Sequence, residues 1–353
     1  MCERRWKTRP EVLIIRERAY ARAGLVGNPS DGYNGKTVSV IVRNFFAEVT
    51  LYEWERIELL LSQEDHSRFD SVHDVVHDVQ LHGYYGGIRL IKATIKRFVE
   101  FCSARQTAGE TGYALHDGKF AIRYTSTIPR QVGMAGSSAI IVATFRALQS
   151  FYGVTIPRHV LPSLALSVET EELRIPAGLQ DRVIQVYGGA VFMDFAKERQ
   201  FTEAGYVGYH YEPLDPSLLP PLYVAYTRDR SEPTEATHRP LRERFDNGDP
   251  QVVEAMKKFA GFAAAAREAI VQRDHSTLNQ LIDQNFDLRR SIMSLQPKHI
   301  RMIEVARSVG CTAKFSGSGG AIIGTYPNET AYQKLVESLT AINCAVVKPT
   351  MES

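Results

Sequence analysis

A chain of 353 residues is about two to three times the usual single-domain length, so more than one hydrophobic core is expected and a small disulfide-stapled scaffold is excluded. Its 44% hydrophobic and 23% charged residues are those of a soluble folded globule rather than a disordered chain. With 42 basic against 40 acidic residues the formal charge is +2, which excludes a general nucleic-acid or anionic-membrane surface; anions must be bound locally.

Apolar runs such as residues 12–15 and 263–266 fall far short of the roughly 20 residues a membrane helix needs. The start, MCERRWKTRPEVLIIRER, is basic but carries acidic residues and lacks the apolar centre of a secretory signal. Cys2, Cys102, Cys311 and Cys344 lie far apart with no C-x-x-C pair, which suits free thiols in a reducing compartment. The expectation is a cytoplasmic protein with neither nucleic acid nor membrane as partner.

In chain order, residues 18–52 hold β-branched and aromatic runs split by the turn-rich GNPSDGYNG, the pattern of strands joined by a long polar loop. Apolar spacing predicts helices over 71–81 and 87–102, a strand over 120–128, and a helix over 137–151 after a Gly/Ser segment. Pro162 opens a helix running to 173, residues 179–187 form another ending at Gly188-Gly189, and AVFMDF follows as a strand. The proline-rich residues 197–222 read as a connection between an N-terminal domain, residues 1–200, and a C-terminal domain, residues 201–353. There the strand LYVAY is followed by a polar surface loop from Thr227, helices over 250–273, 278–293 and 300–310, strands AKFS and GGAIIGTY, a helix over 332–339 and the strand CAVV. That order suits an α+β domain.

Three segments carry chemistry. In IPRQVGMAGSSAIIVATFRAL, residues 128–148, small residues let backbone N–H groups approach an anion while the following helix aims its positive end at the same place. The hydroxyls of Ser137 and Ser138 could reach a magnesium ion, although such a loop taken alone is more often an ordinary helix cap than a nucleotide site. It is not a Walker A loop, since no G-K-[ST] follows. In SVETEELRIPAGLQDRVIQVYGG, Glu169 sits late in one helix and Asp181 in the first turn of the next, where the helix dipole favours a carboxylate; Glu171, Glu172 and Arg174 read as a solvated face. In FSGSGGAIIG, a glycine cluster between short strands permits close approach to a ligand or simply a tight hairpin. Phosphoryl transfer from ATP needs a proton-accepting carboxylate, a metal-holding carboxylate and donors around the phosphates, and these segments supply that set. His73 and His77 lie at i and i+4 without a third ligand and read as a solvated helix face.

The order ARAGLVGNPSDGYNG, PRQVGMAGSSA, GLQDRVIQVYGG and KFSGSGG resembles the three-motif plan of the GHMP family of small-molecule kinases over about residues 18–348. GNPSD, GYYGGIRL, IPRQ-x-G-x-x-GSSAI, AGLQDRV-x-QVYGG and KFSGSGGA look closest to its glucuronokinases. The resemblance implies a two-domain α+β fold with a ferredoxin-like C-terminal domain and the active site in the cleft. The implied reaction is ATP-dependent phosphorylation of D-glucuronate at its anomeric hydroxyl, with Mg2+ accompanying ATP. Kinases for galactose, fucose or arabinose, and a non-catalytic sensor of the same fold, are the alternatives.

Residue by residue, the resemblance makes Asp181 the catalytic base supported by Arg22, and Glu169 with a serine of the GSS run the metal ligands. Gly133, Ala135, Gly136, Ser137 and Ser138 fall in the phosphate loop, Asn28, Asp31 and Tyr33 in the sugar loop, and Ser318 and Gly319 in the C-terminal glycine loop. The phosphate loop is one residue longer than the common G-L-x-S-S-A, so counting from Gly133 makes Ser137 the metal ligand and counting back from Ala139 makes it Ser138; Ser137 is preferred. The acid group of glucuronate calls for an arginine fork, with Arg130 and Arg182 as candidates.

Overall fold

The computed structural model describes residues 13–60, 86–229 and 241–352. Its first sheet is organised around one long strand. β1 (Ile14–Val26) pairs antiparallel with β2 (Lys36–Glu53), and the runs KTVSVIV and NFFAEVTLY form this single strand, the register shifting opposite Tyr20 and Ala21. β2 is long enough to host two neighbours on its other edge, β4 (Phe120–Ser126) along 47–53 and β5 (Ala190–Asp194) along 36–40, while β3 (Glu58–Leu59) runs parallel to β4.

Helices α1 (Gly87–Thr107), α2 (Gly136–Tyr152), α3 (Leu161–Ser167) and α4 (Gln180–Tyr187) belong to this half. The helix expected over 162–173 is interrupted. It leaves α geometry after Ser167, and Val168–Glu172 form a π-turn in which the Leu173 N–H reaches back five residues to Val168 O at 3.1 Å. Such a wide turn is a frequent mark of a functional site. Glu171 and Glu172, read as solvated, pin it to α1 through Arg97 at 2.8 Å and Lys96 at 2.5 Å. The predicted helix over 71–81, with His73 and His77, and most of the polar loop after Thr227 lie outside the described residues.

The proline-rich connection is itself structured as β6 (Phe201–Glu203), β7 (Tyr206–Gly208) and β8 (His210–Leu214). β8 pairs with β5, so the first sheet continues beyond residue 200, where a domain boundary was expected, to Leu214. The pairing covers the edge that β5 would otherwise leave open. The second sheet starts at β9 (Leu222–Thr227) and adds β10 (Lys314–Phe315), β11 (Ala321–Thr325) and β12 (Cys344–Val347) in the antiparallel order β10-β11-β9-β12, the strand order of a ferredoxin-like unit.

Helices α5 (Pro250–Val271) and α6 (His275–Ile292) begin at Asp249 and Asp274, whose carboxylates accept the N–H groups of Gln251 and Thr277, each at 3.0 Å; α7 (Pro297–Ser308) and α8 (Glu329–Thr340) follow. Ala263, Ala266 and Ala269 of α5 join the buried cluster that contains β1 and β2, so the two sheets share a core instead of hanging on a linker. Cys102, Cys311 and Cys344 are buried free thiols, and no helix among the described residues is long and apolar enough to cross a membrane.

Candidate active site

The C-terminal half of β1 runs between two glycine loops. Its Arg22 N–H meets Met134 O of the phosphate loop at 3.3 Å, and its Gly24 N–H meets Ser316 O of the C-terminal glycine loop at 2.8 Å. The loops also touch each other directly. A Cβ at Gly133 (φ +69°) would lie 2.9 Å from Ser318 N, and one at Gly317 would lie 2.3 Å from Gly133 O, so neither position tolerates a side chain without the loops separating. Ser318 and Gly319 are thereby set beside the phosphate loop.

Arg22, 7% exposed, ties these parts together: Nε donates to Asp181 Oδ1 at 2.6 Å, and Nη1 to Gly133 O at 2.6 Å and Ser316 O at 3.1 Å. The charge-assisted bond fixes Asp181 Oδ1, while Oδ2 of the partly exposed carboxylate lies 3.6 Å from Arg182 Nη1, a looser ion pair. Asp181 lies in the first turn of α4, which no side chain caps. Ala135, in left-handed geometry (φ +64°), starts α2, which likewise has no side-chain cap and presents its first N–H groups to any anion in the loop.

Ser137 and Ser138 have different fates. Ser138 is fully buried and bonds Ala135 O, whereas Ser137 Oγ donates to Glu169 Oε1 at 2.9 Å. Ser137 and Glu169, carried by α2 and the π-turn, form an all-oxygen pair that fits a hard dication. Arg182 is corrected as a sugar partner: it is 2% exposed, its guanidinium pairs with Glu169 Oε2, and Nη1 donates to Gly178 O at 2.7 Å and lies 3.6 Å from Asp181 Oδ2. Arg182 is thus buried beside Asp181, whose own side chain stays partly exposed. Arg130 is exposed at the start of the phosphate loop.

In the sugar loop, Asp31 packs against Gly178 (an added Cβ there would be 2.8 Å from Oδ2), next to the segment bearing Asp181. Desolvation, and then the charge of Asp181, push its carboxyl up to about 7 against the opposing pull of Arg22. Tyr33 packs against Phe245 with centroids 4.6 Å apart and the rings tilted by 59°, and the Arg242 guanidinium lies 4.3 Å over its ring. Asn28 is 5% exposed at the base of the loop.

Sequence reasoning missed the buried polar residues beneath this surface. Asn285 accepts the Gly27 N–H at 2.6 Å and donates to Asn28 O at 3.1 Å; Arg289 donates to Gly317 O at 2.7 Å; Lys314 donates to Gly24 O at 2.6 Å. The signal was there: Asn285 and Arg289 fall on the apolar stripe of α6 with Leu278, Leu281, Ile282, Phe286 and Ile292.

An uncapped helix N-terminus, two glycine loops and a carboxylate held by arginine come together here, the groups that phosphoryl transfer to a small molecule calls for. Residues 89–189 match the GHMP kinases N terminal domain and residues 266–344 the GHMP kinases C terminal. The chain belongs to the GHMP kinases. It is 40% identical over 350 residues to probable glucuronokinase 2 of Arabidopsis thaliana, covering 95% of this chain and 91% of that one. It is also 40% identical over 329 residues to glucuronokinase 1 of the same plant, covering 92% and 88%. The fold is shared with Lactococcus lactis galactokinase complexed with galactose (TM-score 0.70, 12% identity, 96% of this chain and 94% of that chain) and with a mevalonate kinase (0.69, 17%, 96% and 100%).

Proposed function

We propose that this kinase transfers the γ-phosphoryl group of ATP to the anomeric hydroxyl of D-glucuronate, giving ADP and 1-phospho-D-glucuronate. The observation that carries the reading is the Arg22–Asp181 pair at 2.6 Å, beside the uncapped N-terminus of α2, in a chain 40% identical to glucuronokinases along nearly its whole length. Asp181 takes the anomeric proton as the bond to phosphorus forms, and no phosphoenzyme is needed. Arg22 orients that carboxylate and supports charge on the transferring group. The first N–H groups of α2, with Gly133, Ala135 and Gly136, receive the phosphates; Ser137 and Glu169 would hold the Mg2+ that accompanies ATP, which would supply charge neutralisation for the phosphates. Asn28, Asp31 and Tyr33 face the sugar. The buried free thiols support a cytoplasmic protein.

The test is ADP release over glucuronate, galacturonate, glucose, galactose, fucose and arabinose. Glucuronate should give the highest kcat/KM, with the product phosphorylated at C1. Preference for a neutral sugar would overturn the substrate assignment, and no turnover with any sugar would overturn the reaction.

A further inference from the structure

Beneath the sugar loop sits a lysine to which the mechanism above gives no part. Lys314 on β10 is 1% exposed, and its Nζ donates to Gly24 O at 2.6 Å, Asn28 Oδ1 at 2.5 Å and Phe315 O at 2.8 Å. Three acceptors around one nitrogen use all three N–H bonds of an ammonium, whereas a neutral amine would aim its lone pair at one of the oxygens. Burial, with Arg289 and Arg22 nearby, pulls this amine well below the usual lysine range against the opposing charge of Asp31, and the three-acceptor geometry is that of the protonated form.

An ammonium cannot accept a hydrogen bond, so the Asn28 atom facing it is the carbonyl oxygen and the NH2 group is turned away. That nitrogen has no acceptor among the described residues and is not sealed from solvent. Asn285 grips the neighbouring backbone from behind, bonding Gly27 N and Asn28 O, so the side chain cannot escape by moving the loop. The amide stands over Gly24, where an added Cβ would lie 3.1 Å from Asn28 Cγ. Gly24 is two residues along β1 from Arg22, which holds the proposed base; that step is about 7 Å, roughly the span of a pyranose ring.

A sugar hydroxyl can donate or accept and is served by either face of an amide. A carboxylate only accepts and is served by the NH2 face alone. We infer that Asn28 Nδ2 is a specificity-determining donor to the carboxylate of the acid sugar, and that Lys314 is the positioning residue that locks this face toward the cleft. This rests on the proposed function. Asp31 on the same loop, with its carboxyl raised to about 7, opposes an acid substrate less than an ordinary aspartate would.

The experiment compares kcat/KM for glucuronate and glucose in the parent, Asn28→Asp and Lys314→Met, with ATP affinity and circular dichroism followed in each. Asn28→Asp keeps an acceptor for Lys314 but replaces the donor facing the cleft with an anion, so the glucuronate-to-glucose ratio should fall by more than about 100-fold. Lys314→Met frees the amide to flip and should lower the ratio by about 10- to 150-fold. Because that variant also strips Gly24 O and Phe315 O of their donor, Asn28→Asp decides if it does not fold. A parent without preference for glucuronate overturns the functional reading and this inference with it. A parental preference retained in Asn28→Asp overturns the inference alone.

Discussion

Replacing Asp181 with Asn separates the chemistry of the site from its architecture. In the parent, the Arg22 Nε–H meets Asp181 Oδ1 at 2.6 Å, with side-chain exposures of 8% and 21%, so the bond is charge-assisted and largely shielded. An Asn Oδ1 still accepts it, and Arg22 keeps Gly133 O and Ser316 O. The structural loss is therefore the difference between a charged and a neutral hydrogen bond, about 1–2 kcal/mol. The amide cannot take the anomeric proton, and a positioned base contributes roughly 10²–10⁴-fold, equivalent to about 3–5.5 kcal/mol of barrier. Asp181→Asn should thus bind ATP with near-parental affinity while its kcat, measured as ADP release at saturating sugar, falls by that factor. Since the Asp181 charge is the second cause of the raised Asp31 carboxyl, the same variant should also shift the pH dependence of stability toward lower pH. A variant that turns over at the parental rate, while folded and binding ATP, would refute the assignment of the base.

Glu169→Gln should raise the magnesium concentration needed for half-maximal rate, because an amide is a poorer ligand for a hard dication, and should also cost stability because buried Arg182 loses its nearer anionic partner and keeps only Asp181 at 3.6 Å; a folded variant with an unchanged magnesium titration would move the ligand elsewhere. Asp31, raised from 3.8 to about 7, binds its proton more tightly in the folded chain, so the stability it contributes is complete below pH 4 and lost as pH rises to 7. Asp31→Asn should abolish that slope and exceed the parent at pH 8 by at most about 4 kcal/mol, the gap closing toward pH 4 in urea titrations. Ala135→Gly, which relieves an L-residue held at φ +64°, should stabilise by roughly 0.5–1 kcal/mol in the same assay; a loss would mean that the loop needs the methyl group.

Taken alone, the sequence determined the local features of this protein. The glycine clusters, the helix following GSSA, the placement of Asp181 in a first turn and the α+β order of the C-terminal half follow from near-neighbour preferences, which act over a few residues and need no partner. Even there the π-turn escaped periodicity, since one extra residue in a turn scarcely alters an apolar pattern yet swings Glu169 toward Ser137. The tertiary structure decided everything that depends on two distant segments meeting. It paired β8 with β5 across the expected domain boundary, chose Ser137 over Ser138 for Glu169, and turned Arg182 inward while its neighbour Asp181 stayed at the cleft. It also put Lys314 under Asn28, 286 residues earlier in the chain. A buried charge looks in sequence like any surface charge, because its partners are backbone carbonyls that every residue possesses, and only the closed fold shows which carbonyls converge on it.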